Sequence, residues 1–423
     1  LEKKFFLKMK KILLSWFMAG VSALAMAQPA NPHCDGNRYV SEVFQQVDVV
    51  SGVQFGSNES NCGIPQNLRM DIYTPQGDTA TQRPVIFWGY GGTFITGSRT
   101  DGYIVDLCTR YAKRGYVAIG FDYRLFQPCQ WPDSTVMLDI VIKAIADLKA
   151  AVRYMREHAA DYGVDTNYIF AGGASAGAIL AANAAYLTPD DNPPAYVLDA
   201  INDNGGWEGN SSNNYAYSSS LQGVISLSGA LHRATWLDAD DGPLYIVHET
   251  GDGTVPYGSD YANIGGLLDI ITVQGGGAMY HQAVAVGVPH GFISIQSNAH
   301  VGYQNDTAVI SQTINESTRL FHDHKICNPF NALPDVPASM AAFRAFPNPT
   351  DHWFWIQMEE AQADRWSVEL RNELGQLVRM HAHCTEPLMA FERGGLPAGV
   401  YAVTIRFEDR PMAPLTQRLV LVD

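Results

Sequence analysis

From about Arg69 onward, short apolar runs alternate with longer stretches whose apolar residues recur every three or four positions. The runs "LRMDIYTP", "RPVIFWGYGG", "VAIGFDYRL", "NYIFAGG", "LQGVISLSGA" and "GPLYIVHETGD" predict buried strands. Between them, "DGYIVDLCTRYAKRGY", the Ala- and Leu-rich stretch from Val136 to the stop at Gly163, and "AGAILAANAAYL" have helical spacing. Strands that alternate with helices predict an α/β fold, with a mostly parallel sheet covered by helices on both faces. In such sheets, ligand-handling groups lie beyond the C-terminal ends of the strands. Residues 202–220, "NDNGGWEGNSSNNYAYSSS", interrupt the rhythm. They read equally well as a surface loop or as a substrate-facing lid carrying Trp207.

The pattern changes at both ends. "NPFNALPDVPASM" is Pro-rich and aperiodic, and after it come short alternating runs such as "HWFWIQM", "WSVELRN" and "GVYAVTIRF". These predict a small all-β sandwich. At the other end, five lysines precede an apolar stretch from Ile12 to Ala27 that closes on "AMA", the pattern of a secretory signal peptide. The expected organisation is a signal peptide over 1–27, a catalytic domain over 28–330, a linker over 331–343 and a β-sandwich over 344–423.

Length and composition, 423 residues with 46% hydrophobic and 17% charged, fit a globular chain of more than one domain. The net charge of −15 argues against nucleic-acid or anionic-membrane partners, which need basic surface. Removing the leader takes away five lysines and one glutamate, so the remainder is more acidic still. An exported protein makes disulfides the default for its six cysteines. Cys108 and Cys129 flank one predicted strand and are the favoured pair, while Cys34, Cys62 and Cys327 stay unassigned. No Cys/His/Asp cluster has metal-ligand spacing, so no metal or cofactor is expected.

Candidate chemistry centres on "GGASAG", where a predicted strand becomes a predicted helix. Gly173-Ala174-Ser175-Ala176-Gly177 fits G-x-S-x-G, and that context is what a nucleophile elbow requires. Small neighbours suit both close packing and a tight turn, but only chemistry asks for the serine. A serine needs a base and an orienting acid. Asp252 follows the strand "PLYIVHE", and His290 in "AVGVPHGF" reads as a loop residue after an apolar strand. His281 is the alternative base, and His248 or Glu249 are alternatives to Asp252; His300, His322 and His324 read as surface residues. Upstream, the glycines of "GYGGTFITGS" permit backbone N–H groups to face an oxyanion.

Taken in order, "YGGTF", "FDYRL", "DTNYIFAGGASAGA", "HETGDGTVP" and "PHGF" resemble motifs of the α/β-hydrolase carboxylesterases, the hormone-sensitive-lipase-like and carboxylesterase-type branches, over about Leu68 to Phe321. The resemblance implies Ser175 as nucleophile, Asp252 as acid and His290 as base, with Gly91, Gly92 and Ala176 supplying oxyanion donors. Tyr90 and Thr93 stand where that family usually has His and Gly, and with Trp207 they are the expected substrate-binding residues. In the tail, "FPNPT", "NELGQLV" and "GLPAGVYAVTI" resemble the C-terminal sorting domain of type IX secretion in Bacteroidetes. The reading is therefore a secreted or cell-surface serine carboxylesterase with no transmembrane segment. Its expected partners are an ester substrate and the secretion machinery. The rivals are a prolyl-oligopeptidase-type peptidase and a non-catalytic binding protein on a hydrolase fold.

Overall fold

In the computed structural model the described residues are 34, 36–264, 268–327, and 343–422 apart from 347, 349, 351, 359–364, 373–375, 387 and 408–414. The expected signal peptide and most of the expected linker lie outside them. Eight strands form the central sheet: β1 (Val47–Glu59), β2 (Pro65–Pro75), β3 (Arg83–Gly89), β4 (Val117–Phe121), β5 (Val164–Ala174), β6 (Val224–Leu227), β8 (Leu244–Glu249) and β11 (His290–Ile295). Their spatial order is β1-β2-β4-β3-β5-β6-β8-β11. From β4 to β11 every pairing is parallel, and β1 and β2 add an antiparallel edge. This is the mostly parallel α/β sheet expected from the alternating pattern, in the α/β-hydrolase arrangement that the motif resemblance implied.

The strand sequences explain their places. Every residue of β3, β4, β6 and β8 is buried, as a parallel sheet covered on both faces demands. At the edge, β1 mixes apolar and polar residues and is largely exposed or only partly buried. The helices that pack on this sheet include α1 (Gly102–Ala112), α2 (Ser134–Glu157), α3 (Ala176–Tyr186), α5 (Gly276–Val286) and α6 (Thr307–Phe321), while α4 (Ala195–Asp203) packs against α2. Asp133 caps α2 and Asp306 caps α6, each side chain accepting two backbone N–H bonds. Between β6 and α5 lies a small antiparallel sheet, in which β10 (Leu268–Gly275) pairs with both β7 (Ala230–Leu231) and β9 (Ser259–Ile264).

The C-terminal residues form two further antiparallel sheets. One holds β12 (Phe343–Phe346), β13 (Trp353–Met358) and β16 (Leu388–Glu392); the other holds β14 (Trp366–Arg371), β15 (Leu377–Cys384), β17 (Gly399–Phe407) and β18 (Leu415–Leu421). Along β13 burial alternates residue by residue: Phe354 and Ile356 face inward while Trp353 and Trp355 face out. These sheets enclose their own apolar core, which includes Phe354, Val368, Val403 and Leu419.

The expected Cys108–Cys129 disulfide is not formed. Cys129 is bonded to Cys62, and Cys108 is a free thiol. The reason is direction: Cys108 lies on the buried face of α1 with no exposed surface, whereas Cys129 sits in an exposed turn. Cys34 and Cys327 are also disulfide-bonded. No helix among the described residues is long and apolar enough to cross a membrane.

Candidate active site

Ser175 stands between the last residue of β5 and the first of α3, with φ 53° and ψ −118°. A non-glycine residue in this region is strained, and the surroundings must over-determine it. They do so through close approach. A Cβ on Gly173 would lie 2.3 Å from the Gly177 carbonyl carbon, and a Cβ on Gly177 would lie 2.1 Å from the Gly89 oxygen. The glycines therefore let β3, β5 and α3 converge where no side chain fits. Ser175 N–H donates to the Leu227 carbonyl at 2.8 Å, which pins the turn to β6.

The imidazole that meets this serine belongs to His300, not His290. His300 Nε2 lies 2.7 Å from Ser175 Oγ, and its Nδ1 lies 2.6 Å from Asp252 Oδ2. A carboxylate only accepts, so Nδ1 carries the proton and Nε2 is free to accept from the serine hydroxyl. His290 opens β11 opposite Leu244, the first residue of β8, and its Nδ1 lies 2.7 Å from the Val288 carbonyl. Ser175 follows β5, at the other end of these parallel strands. Crossing the six residues of β11 covers roughly 20 Å. His281 is carried on α5, with its ring beside Tyr280. The expectation that His300 is a surface residue is corrected too: its side chain is only 19% exposed.

Asp252 fits its expected place, just after β8. Its Oδ1 accepts from the N–H groups of Thr254 (2.8 Å) and Val255 (3.1 Å). Burial alone would raise this carboxyl, but hydrogen bonds from His248, His300 and the Thr254 backbone N–H hold it well below the usual carboxylate range. His248 is fully buried beneath it. Gly276 N–H donates to His248 Nδ1 at 3.0 Å, so Nε2 carries the proton; it faces the Val255 carbonyl at 3.0 Å and Asp252 Oδ2 at 3.4 Å. Sequence reasoning weighed His248 and Glu249 as substitutes for Asp252, but both support the site from behind. Glu249 is buried, and its carboxylate accepts from Val301 N–H (3.0 Å), Gly302 N–H (2.7 Å) and the Ser228 hydroxyl (3.2 Å).

Gly91, Gly92 and Thr93 lie in the loop after β3, and a Cβ on Gly91 would come 3.4 Å from Ser175 Cβ. Ala176 opens α3, so its N–H has no acceptor within the helix. Backbone donors thus lie on two sides of the serine. Two of the expected substrate-binding residues are elsewhere. Tyr90 is buried and stacked on Tyr123, and each hydroxyl donates to the other's backbone carbonyl. Trp207 lines a separate small pocket with Lys149 and Ile201. The stretch around it is fastened to α2: Ser211 bonds Asp147, while Arg153 pairs with Glu208 and bonds Ser212. Buried Arg124 pairs with Asp147. Thr93 does line the cavity that opens at Ser175.

The BD-FAE family model matches residues 70–232, a span that includes Ser175. Curated proteins similar to this chain include esterase LipQ of Mycobacterium tuberculosis, 35% identical over 130 residues, which are 30% of this chain and 28% of that protein. Esterase LipC of the same organism is 32% identical over 29% of this chain and 27% of its own length. An acetyl esterase of Salmonella schwarzengrund is 31% identical over 28% of this chain and 34% of its own. The chain thus spans between about a quarter and a third of these relatives. Among solved structures, Thermogutta terrifontis esterase 2 phosphorylated by paraoxon aligns with a TM-score of 0.47 and 21% identity, over 66% of this chain and 94% of that one.

Proposed function

We propose that this protein is a serine carboxylic-ester hydrolase in which Ser175, His300 and Asp252 act as a triad. The observation that carries the reading is the continuous hydrogen-bonded line from Asp252 through His300 to Ser175 Oγ, with distances of 2.6 and 2.7 Å. Ser175 Oγ attacks the ester carbonyl as His300 Nε2 takes its proton. The tetrahedral oxyanion is met by backbone N–H groups of Gly91, Gly92 and Ala176. His300 then gives its proton to the departing alkoxide, leaving an acyl-serine. Water, deprotonated by the same imidazole, releases the carboxylic acid and restores the serine. Asp252 holds the ring orientation and stabilises its charged form. The esterase names of the similar proteins support the ester as substrate.

The test is labelling by a fluorophosphonate probe together with turnover of p-nitrophenyl acetate. The expected result is stoichiometric labelling of Ser175 and loss of turnover by about 10⁶-fold in Ser175→Ala. Preference for aminoacyl-anilides over the ester would favour the peptidase reading. Absence of both labelling and turnover would favour a binding protein.

We also propose that the C-terminal sheets, with their own core, serve export to the cell surface or medium, as the tail motifs suggest. Truncation after Ala341 is expected to keep esterase activity in the purified protein and to leave it in the periplasm of its host. A truncated protein that still reaches the medium would remove the sorting role.

A further inference from the structure

A cavity begins at Ser175 and runs between α2, α3 and the small sheet of β7, β9 and β10. Its accessible surface is almost wholly apolar. Two of the polar side chains along it are committed to the protein. The Asn183 amide donates to the carbonyls of Ile179 and Ala230, and the two ring nitrogens of His232 meet Tyr196 and the Thr272 carbonyl. Trp236 Nε1 and Asn263 Oδ1 have no hydrogen-bond partner, but neither has accessible surface to offer a ligand.

The depth can be read from α3. Ala176, Ile179, Asn183 and Leu187 line the cavity at helical spacing, the last just beyond the helix end. At 1.5 Å per residue this run covers roughly 16 Å from the nucleophile. An extended hydrocarbon, with C–C bonds of about 1.5 Å, advances roughly 1.3 Å per carbon. The groove alongside α3 is therefore long enough for about a dozen carbons.

Which half of an ester enters follows from the imidazole. The departing alkoxide takes its proton from His300 Nε2, so the alcohol half lies on the His300 side. The half that stays bonded to Ser175 Oγ lies away from it. The cavity is lined by Ser175 and Ala176 but not by His300. Resting on the triad reading, we infer that this cavity is an acyl pocket and that the enzyme prefers esters of unbranched medium-chain hydrocarbon acids over acetyl esters or esters of polar acids. The acyl carbonyl sits at the Gly91–Ala176 end and the chain runs toward Leu187. An acetyl group would leave most of the apolar wall uncovered, so each added methylene contributes burial as the chain extends toward Leu187.

The experiment measures kcat/KM for p-nitrophenyl esters from acetate to decanoate, with fluorophosphonate labelling in parallel. Each methylene is expected to raise kcat/KM by up to about fourfold, and octanoate to exceed acetate by at least about a hundredfold. Ethyl octanoate is expected to turn over faster than octyl acetate. Val141→Trp and, separately, Val273→Phe place bulk in the cavity from opposite walls and should each lower the octanoate-to-acetate ratio by at least about tenfold. A protein that labels at Ser175 but prefers acetate, shows a flat series or prefers octyl acetate overturns the acyl pocket while leaving the triad standing. A protein that neither labels nor hydrolyses any ester overturns the triad reading, and the pocket's role with it. Because the chain-length series and the ester pair use the unaltered protein, a variant that fails to fold still leaves a decisive result.

Discussion

Replacing Glu249 with Gln should cripple turnover although Glu249 lies outside the reacting line. Its buried carboxylate holds the N–H groups of Val301 and Gly302, the two residues that follow His300. Val301 is β-branched yet has φ 52°, a conformation that costs roughly 1–3 kcal/mol and persists only where neighbours enforce it. A glutamine of the same shape has one accepting oxygen for these two donors, and its NH₂ would face the other N–H. Losing one hydrogen bond to a charged acceptor and weakening the second removes about 2–4 kcal/mol of support. With tenfold per 1.4 kcal/mol, the fraction of molecules presenting His300 to Ser175 falls by roughly 30- to 1000-fold. kcat for p-nitrophenyl butyrate should fall by that range. KM should stay within about threefold, because Glu249 does not line the cavity. Slower fluorophosphonate labelling should accompany the loss, and Glu249→Asp, which keeps the charge but shortens the reach, should recover part of it. If Glu249→Gln kept kcat within about threefold of the parent, the carboxylate would not be holding the His300 turn.

Three further outcomes are expected. His300→Ala should reduce turnover nearly as much as Ser175→Ala, whereas His290→Ala should stay within about tenfold of the parent; steady-state kinetics on both decide between the two imidazoles. Non-reducing peptide mapping should recover Cys62 linked to Cys129 and Cys108 free. The paired Ser replacement at 62 and 129 should lower unfolding free energy by about 4 kcal/mol in denaturant titration, from the loop that bond closes. Asp241 is raised to about 7, first by burial and then by the nearby carboxylates of Asp238, Asp191 and Asp240. An acid bound more tightly to its proton in the fold than in the unfolded chain loses stability as pH rises from about 4 to about 7. Asp241→Asn should therefore melt higher than the parent above pH 7 and match it near pH 4.

The fold was legible wherever burial repeats along the chain. The fully buried runs of β3, β4, β6 and β8 read as parallel strands because each carries apolar residues on both faces. What escaped notice had weaker periodicity. The edge strand β1 has no regular alternation of apolar and polar residues, and in the hairpin of β9 and β10 most positions are only partly buried or exposed. The disulfide was misjudged because proximity in sequence says nothing about facing. Cys108 faces the core from α1 while Cys129 lies in an exposed turn beyond β4, and the partner of Cys129 came from 67 residues away.

Of the proposed triad, the positions of Ser175 and Asp252 were readable and that of the proposed base was not, for one physical reason. Ser175 and Asp252 each sit in a local context with its own signature: tiny residues at a strand-to-helix turn, and a carboxylate two residues ahead of N–H groups it caps. The base has no such local demand, since its position is set by which end of the last parallel strand it occupies. "AVAV" before Pro289 is the end of α5, not a strand, so "PHGF" enters β11 rather than leaving it. Once β11 is placed at His290–Ile295, the base must come from the loop that follows, and His300 is the first histidine there. The signal that marks it lies in other parts of the chain: a buried acid at the end of β8 and a following glycine, Gly302, whose N–H that acid holds. An acid that ends one strand can fasten the turn beyond its neighbour only if both turns lie on the same edge of the sheet. Glu249 and Val301 meet that condition through the β8–β11 pairing, in which Glu249 lies opposite Ile295. Placing a catalytic histidine in such a chain therefore requires strand ends to be assigned before motifs.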